Sequence, residues 1–399
     1  MSGQGRGPMD GVRVVDLSIA LSGPWAVGIM TDQGASVIKV EAPGIGDIGR
    51  WVGVAHSGIS AMAQMANRGK RSLAVNLRLE EGQQIVRRLV SEADVFVQNF
   101  RPGVIERLGL SYESLVEENP DLIYVSISGF GNEGPYRDKS AYDPVVQAYG
   151  GLAACQADVE TGAPQLLYQV AADKVTALTA SQGIAAALFA RERGAGGQHL
   201  EIPMLDAVVN FVWADAAGNE VLRDSDGSQP SSFSHGQRLW RFKDGWGIAA
   251  PVSDDDFAGI CRALGVEGWD APEVKTIAAR RQNPVVMGAM MEKIYAAAES
   301  FTVKDAIERL EAEKAPCGVV LSPGELVDDP HAQAVGLFVD SQHPVLGSIR
   351  QPRPPVRFEK TPASLGGPAP TVGQQTDEIL EEIGLGPQIA RLREAGVVA

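Results

Sequence analysis

Short apolar runs alternate with helix-spaced segments through the first 130 residues of the chain. The runs are Val12–Leu17, Ser36–Glu41, Ser72–Leu77, Asp94–Asn99 and Leu122–Ser128. Apolar residues fall on both faces of each run, the pattern of strands covered on both sides of a parallel sheet. Between two of them, Glu80–Glu92 carries Ile85, Val86 and Leu89 at helical spacing. The repeated alternation predicts an α/β fold, an open Rossmann-like parallel sheet with helices on both faces.

Beyond residue 130 the pattern lengthens. Residues 173–193 predict one long helix broken by Gly194–Gly197, and His199–Met204 resumes as a strand. Asp206–Leu222 predicts a further helix, placed to connect two domains. From about 225 the texture changes: Asp224–Ser234 is rich in Ser, Asp and Gly, and Leu239–Ile248 contains a Lys243-Asp244-Gly245 hairpin signal. Helical patterns follow near 254–264 and 286–313. Prolines from Pro344 to Pro370 favour extended or turn conformations in the tail, and Thr376–Ile383 predicts one short amphipathic helix. The expected organisation is a large domain over 1–205, a connecting helix over 206–224, a smaller α+β domain over 225–330, and a segment 331–399 returning to the large domain.

The chain has 399 residues, enough for two such domains, and 44% hydrophobic with 21% charged residues is ordinary for a globular protein. A formal charge of −15 argues against nucleic acid and anionic membrane surfaces as partners. No apolar run is long enough to cross a bilayer, and the polar, Gly-rich residues 1–10 do not resemble a secretory signal, so the cytoplasm is the expected compartment. Three scattered cysteines (Cys155, Cys261, Cys317) suit a reducing environment. They and the five dispersed histidines show no metal-ligand spacing, so neither metal nor bound cofactor is expected.

Gly129–Gly134 matches G-x-G-x-x-G after a strand, but Pro135-Tyr136-Arg137-Asp138 follows with turn chemistry instead of a helix start. The dinucleotide fingerprint needs that helix, so nicotinamide or flavin binding is not expected. Polar residues at the carboxyl ends of the predicted strands are better placed to meet a ligand: Ser18, Ser22, Asn76, Arg78, Asn99, Arg101 and the 129–143 loop, with Arg107 and Lys139 near them. Any one of these fits a solvated rim; their common edge is the signal. Asp173 follows Ala171-Ala172, opens the long helix, and has no second acid close by in sequence. A helix cap explains such a residue, and so does a carboxylate nucleophile, kept ionised by the helix dipole. Tyr142 reads equally as a packed residue with its hydroxyl satisfied or as a site group.

The segments GVRVVDLS, GASVIKVEAPGIGD, NRGKRSLAVNL, NFRPGVIERLGL, ISGFGNEGPYRDKSAYDPVVQAYGGL, GQHLEIPMLDA and PTVGQQTDEIL closely resemble the family III CoA-transferases, which also include α-methylacyl-CoA racemases. The likeness runs in order from residue 11 to about 385. It implies an interlocked homodimer acting on an acyl-CoA and a free carboxylic acid, with Asp173 as nucleophile; in the mechanism expected from this, the Tyr142 hydroxyl positions the acyl or carboxylate group. It assigns coenzyme A contacts to Leu21, Ser22, Ala42, Val75, Asn76, Arg78, Asn99, Phe100, Arg101, Arg107, Ser140 and Asp143, with the neighbouring Lys139 as a further candidate contact. Two positions depart from the usual family choice: Ala42 stands where an arginine is frequent, and Ser140 where a lysine is, with Lys139 displaced by one. The glycine-run loop of formyl-CoA transferases is missing, with Ser234-His235-Gly236-Gln237 near its place, which speaks against oxalate and formate. Racemases of the family pair the aspartate with a histidine whose position is held here by Tyr142. A phenol titrating near roughly 10 is a weak proton carrier at neutral pH, so transfer is the expected activity, with 2-methylacyl-CoA racemisation and non-catalytic CoA binding as the alternatives.

Overall fold

The computed structural model describes residues 7–158, 160–227, 231–232 and 237–399. They divide into two compact units, one built from residues up to 232 together with 336–399, the other from 237–335.

The first unit is organised by a six-stranded sheet: β1 (Arg13–Asp16), β2 (Ser36–Glu41), β3 (Arg71–Ala74), β4 (Val95–Gln98), β5 (Ile123–Ser128) and β6 (Gln198–Pro203). All its pairings are parallel, and the spatial order is β3-β2-β1-β4-β5-β6. The order reverses between β1 and β4, which opens a crevice at the carboxyl ends of those strands, where open α/β sheets bind ligands. The double burial anticipated from the apolar runs is visible residue by residue. Val14, Val37, Val95 and Val125 face one core, and Val15, Val40, Phe96 and Tyr124 the other.

The first core is closed by α1 (Ser22–Asp32) and by the long helix that starts at Ala171, through Ala26, Val27, Met30, Ala172, Ala177 and Ala180. Alanines along the long helix let it lie close against α1. The second core is closed by α2 (Glu80–Val90), through Ile85, Val86 and Leu89, and by the chain's end, where Ile379, Leu380, Leu392 and Val398 are buried. Two further helices matter for the site: α3 (Asp143–Tyr149) and α4 (Ala171–Ala190), the long helix just described.

The helix expected over 206–222 is two pieces, α5 (Met204–Trp213) and α6 (Gly218–Val221), interrupted at Ala214–Ala217. Residues Ala207, Val208 and Val212 bury α5 within the first unit. It packs against α4 and does not span as a bare connector.

In the second unit, β7 (Trp240–Arg241), β8 (Trp246–Ala249) and β9 (Cys317–Val319) form an antiparallel sheet. Helices α7 (Asp254–Leu264), α8 (Pro284–Ala298) and α9 (Val303–Ala312) contribute to its core. The single helical pattern over 286–313 is broken at Thr302, whose hydroxyl caps α9 by accepting the Asp305 N–H. The tail contains a hairpin not anticipated from its prolines, β10 (Phe338–His343) with β11 (Gly347–Pro352). Its last helices are α10 (Thr376–Glu382) and α11 (Ile389–Glu394).

Candidate active site

The crevice is lined by the turn between β1 and α1. Asn99, at the end of β4, holds this turn: its side-chain oxygen accepts the Ile19 N–H at 2.8 Å and its NH2 donates to the Ile19 carbonyl at 2.8 Å. Both polar atoms of Asn99 are therefore engaged with the turn. Ser22 is the first residue of α1, is buried, and has no side chain capping the helix before it. Its backbone N–H is thereby left for another acceptor.

That acceptor comes from α4. Asp173, in the first turn of α4, is partly buried, and the hydroxyl and backbone N–H of Ser22 lie close enough to its carboxylate to favour the ionised form. The residue before α4, Val170, has φ 37° and ψ 54°, a left-handed conformation that a β-branched side chain rarely adopts. Such strain persists where the surroundings fix it, and it clusters at functional sites. Gln147 of α3 does part of the fixing: its amide accepts the Leu167 N–H at 3.0 Å and donates to the Leu167 carbonyl at 3.0 Å.

The fold supplies the second acid that the local sequence lacks. Asp143, the first residue of α3, is buried; one carboxylate oxygen accepts from Gln147 at 2.5 Å and the other accepts the backbone N–H of Asp173 at 3.0 Å. Burial first, and then the Asp143 charge, push the Asp173 carboxyl up to about 6, against the opposing Ser22 bonds. A helix N-terminus favours a carboxylate, but desolvation and a like charge outweigh it, so Asp173 titrates above its ordinary value while staying ionised at neutral pH. Asp143 is buried, with one carboxylate oxygen held by Gln147 and the other by the Asp173 N–H.

The other assigned positions fall into two sets. Leu21 and Val75 are buried, and Val75 pairs with Val398 of the returning tail. Asn76 donates its N–H to the Val397 carbonyl at 2.8 Å and accepts the Arg78 N–H at 3.1 Å. Phe100 is part-buried, with its N–H on the Gln98 side chain at 2.9 Å. Ala42, Arg78, Arg101, Arg107, Ser140 and Tyr142 are exposed, with Tyr142 at 65%. Arg78 follows β3, and Arg101 and Arg107 follow β4, so these cations lie beyond carboxyl ends of the sheet. Lys139 is exposed but engaged: its ammonium bonds the Tyr149 hydroxyl and lies over the rings of Tyr149 and Tyr136, at 4.3 and 4.6 Å from their centroids. Residues 234–236 of the segment near the missing glycine run lie outside the described residues. No sequence signal marked Gln147 or Asp143's place behind Asp173, because both roles arise from the packing of α3 against α4.

An α/β protein with its ligand crevice at a strand-order reversal, and a raised carboxylate facing a helix N-terminus, is thus defined by fold and site together. Residues 9–376 match the model of CoA-transferase family III, and the chain belongs to that family. It is 33% identical to a succinate–glutarate CoA-transferase of Agrobacterium fabrum, over 94% of this chain and 96% of that protein. It is 31% identical to a formyl-CoA:oxalate CoA-transferase of Rhodopseudomonas palustris, over 98% and 97%. A crystal structure of a CaiB/BaiF family protein from Brucella suis superposes with a TM-score of 0.81 at 31% identity, covering 95% of this chain and all of that one. These likenesses support CoA transfer between an acyl-CoA and a carboxylate as the activity. Two relatives of nearly equal identity are named for different acids, so overall identity does not select the acid.

Proposed function

We propose that the chain moves coenzyme A from an acyl-CoA donor to a free carboxylic acid, with Asp173 as the covalent nucleophile. The carrying observation is the place of Asp173 itself: partly buried in the first turn of α4, its N–H held by Asp143 at 3.0 Å, and its carboxyl raised to about 6 with Ser22 favouring the ionised form. Such a group is ionised at neutral pH yet poorly solvated, which favours attack on a carbonyl. An Asp173 oxygen adds to the thioester carbonyl, the C–S bond breaks, and CoA leaves as a thiolate, giving an aspartyl–acyl anhydride. The thiolate then attacks the aspartyl carbonyl and expels the donor carboxylate, leaving an aspartyl-CoA thioester. The acceptor carboxylate attacks that thioester and releases the thiolate. Thiolate attack on the acceptor's acyl carbon completes the new acyl-CoA and restores Asp173. One thioester is exchanged for another, so no net proton or external energy is required.

In this proposal the unit built from both chain ends binds coenzyme A, with the exposed Arg78, Arg101 and Arg107 offered to its phosphates and Tyr142 positioning the acyl or acceptor group. Hydroxylamine added during turnover is expected to convert the aspartyl thioester to a hydroxamate, located at Asp173 by peptide mass mapping. Turnover with no modification at Asp173 would remove the covalent mechanism.

A second copy is proposed to complete the site, as an interlocked homodimer. Helix α4 is apolar nearly all round, with Leu178 and Phe189 exposed at 53% and 68%, and Tyr168 just before it is 97% exposed. A helix of that kind is normally covered on every side. Sedimentation equilibrium is expected to give twice the chain mass; a single-chain mass at micromolar concentration would contradict it. Three unpaired cysteines and the absence of a membrane-crossing helix among the described residues support the cytoplasm as its compartment.

A further inference from the structure

The turn that delivers Ser22 to Asp173 does not hold its own shape. Ala20 has φ 66°, a left-handed conformation costly for a residue with a Cβ. Its N–H donates to Asp47 Oδ1 at 2.8 Å, and the same oxygen accepts the Gly49 N–H at 2.8 Å. Gly49 is required for the approach: a Cβ there would lie 2.8 Å from the Ala20 carbonyl oxygen. Asp47 is buried, its own N–H donates to Glu41 at 3.0 Å, and its other oxygen faces the Lys39 ammonium at 3.1 Å. Lys39 in turn bonds the Ser18 carbonyl. Asp16 accepts the Ser18 N–H at 2.9 Å, and Lys70 bridges Asp16 to the Pro24 carbonyl with both contacts at 2.8 Å. The backbone from Ser18 to Pro24 is thus gripped at several points by buried charged side chains from other elements.

We propose that Asp47 is a positioning residue for the transfer reaction, holding the strained Ala20 turn so that Ser22 meets the Asp173 carboxylate. This rests on Asp173 being the nucleophile. Asp47 does not touch the reacting atoms; it acts through Ala20 and Ser22. Its partners Lys39, Asp16, Lys70 and Glu41 form one buried cluster. The charge acting on Asp173 itself comes from Asp143 on α3, whereas α1 contributes the neutral Ser22.

The Ser22 bonds favour the ionised form of Asp173, so losing them shifts its titration upward. In Asp47→Ala, kcat is expected to fall roughly tenfold or more at neutral pH, with its acidic limb moved to higher pH and KM for the donor changed by less than about threefold. The decisive arm is Asp47→Ala/Ala20→Gly. Glycine adopts the left-handed conformation without the Cβ cost, so the turn keeps its shape without the clamp. The double variant is expected to recover most of kcat and the wild-type acidic limb, which repair of a merely structural defect elsewhere in the charge cluster would not produce. If Asp47→Ala is poorly folded, the double variant still decides: recovery supports the clamp and no recovery overturns it. A well-folded Asp47→Ala with unchanged kcat and limb also overturns it. Asp173→Asn run in parallel separates the two ideas. If it retains transfer, the nucleophile assignment fails; if it is inactive while Asp47→Ala is normal, only the positioning role fails.

Discussion

Replacing Asp173 by alanine is expected to lower CoA transfer by at least about 10⁴-fold, the scale seen when a covalent nucleophile is removed. Binding of coenzyme A is expected to stay within a few-fold, measured by calorimetry on the same preparation. The separation follows from where the residue sits. Asp173 lies in the first turn of α4 beside Ser22 and the Asp143–Gln147 pair, whereas the exposed arginines proposed for the phosphates follow β3 and β4. Residual transfer within tenfold of the parent would remove Asp173 from the chemistry. The asparagine variant adds a stability readout. Because the folded carboxyl titrates near 6, above its ordinary 3.8, its ionisation opposes folding at neutral pH. That cost is fully present above about 6 and gone below the unfolded value. Asp173→Asn is therefore expected to melt on the order of 2–4 °C higher near neutral pH, with the gain fading as pH falls through 6 toward 4. Equal melting temperatures at neutral pH would mean that Asp173 is not held against its charge.

What was legible in the chain, and what was not, divides along the range of the forces involved. Strands such as Ser36–Glu41 declared themselves because a strand buried on both faces is apolar at successive positions, a local property. Asp173 was conspicuous for a similar reason, as an acid opening a helix of alanines. Its neighbours were hidden. Asp143 lies thirty positions away and meets the Asp173 N–H through helix packing, which no local pattern encodes. The sign of the electrostatic effect was hidden with it, since the dipole is visible in sequence and the desolvation is not. Asn99 stands out in the sequence at a strand end, but only the fold shows Ile19 engaging both its polar atoms. The hairpin of β10 and β11 was masked by its prolines, which fall in its turn (Pro344), at its end (Pro352) and beyond it, leaving residues 347–351 free to pair.

Asp16→Ala is expected to destabilise the first unit by about 3–5 kcal/mol, the cost of leaving buried charge without its partner. Asp16 is fully buried; it takes a bond from Lys70 at 2.8 Å, and Lys39 stands 3.9 Å away. Burial works to raise the Asp16 pKa, and the charges of Lys39 and Lys70 overcome it, so the carboxyl titrates below its ordinary value. Lys70 is already pushed down to about 8 by burial, with Asp16 opposing the shift. Without Asp16 it must lose its proton or remain as an unpaired ammonium in the core. On a unit of this size the loss corresponds to roughly 6–15 °C in melting temperature, read by calorimetry. The exposed Lys304–Glu308 pair is the internal contrast, since Glu308→Ala is expected to leave melting unchanged. Removing both charges, as in Asp16→Leu/Lys70→Met, is expected to recover part of the loss, because an apolar pair of similar volume carries no desolvation cost. Such a protein, however, no longer holds the Ser18 N–H or the Pro24 carbonyl. A double variant that recovers stability while remaining slow in transfer would show that this buried ion cluster is retained for the geometry of the Ser22 turn, and one that recovers both would show that it is not.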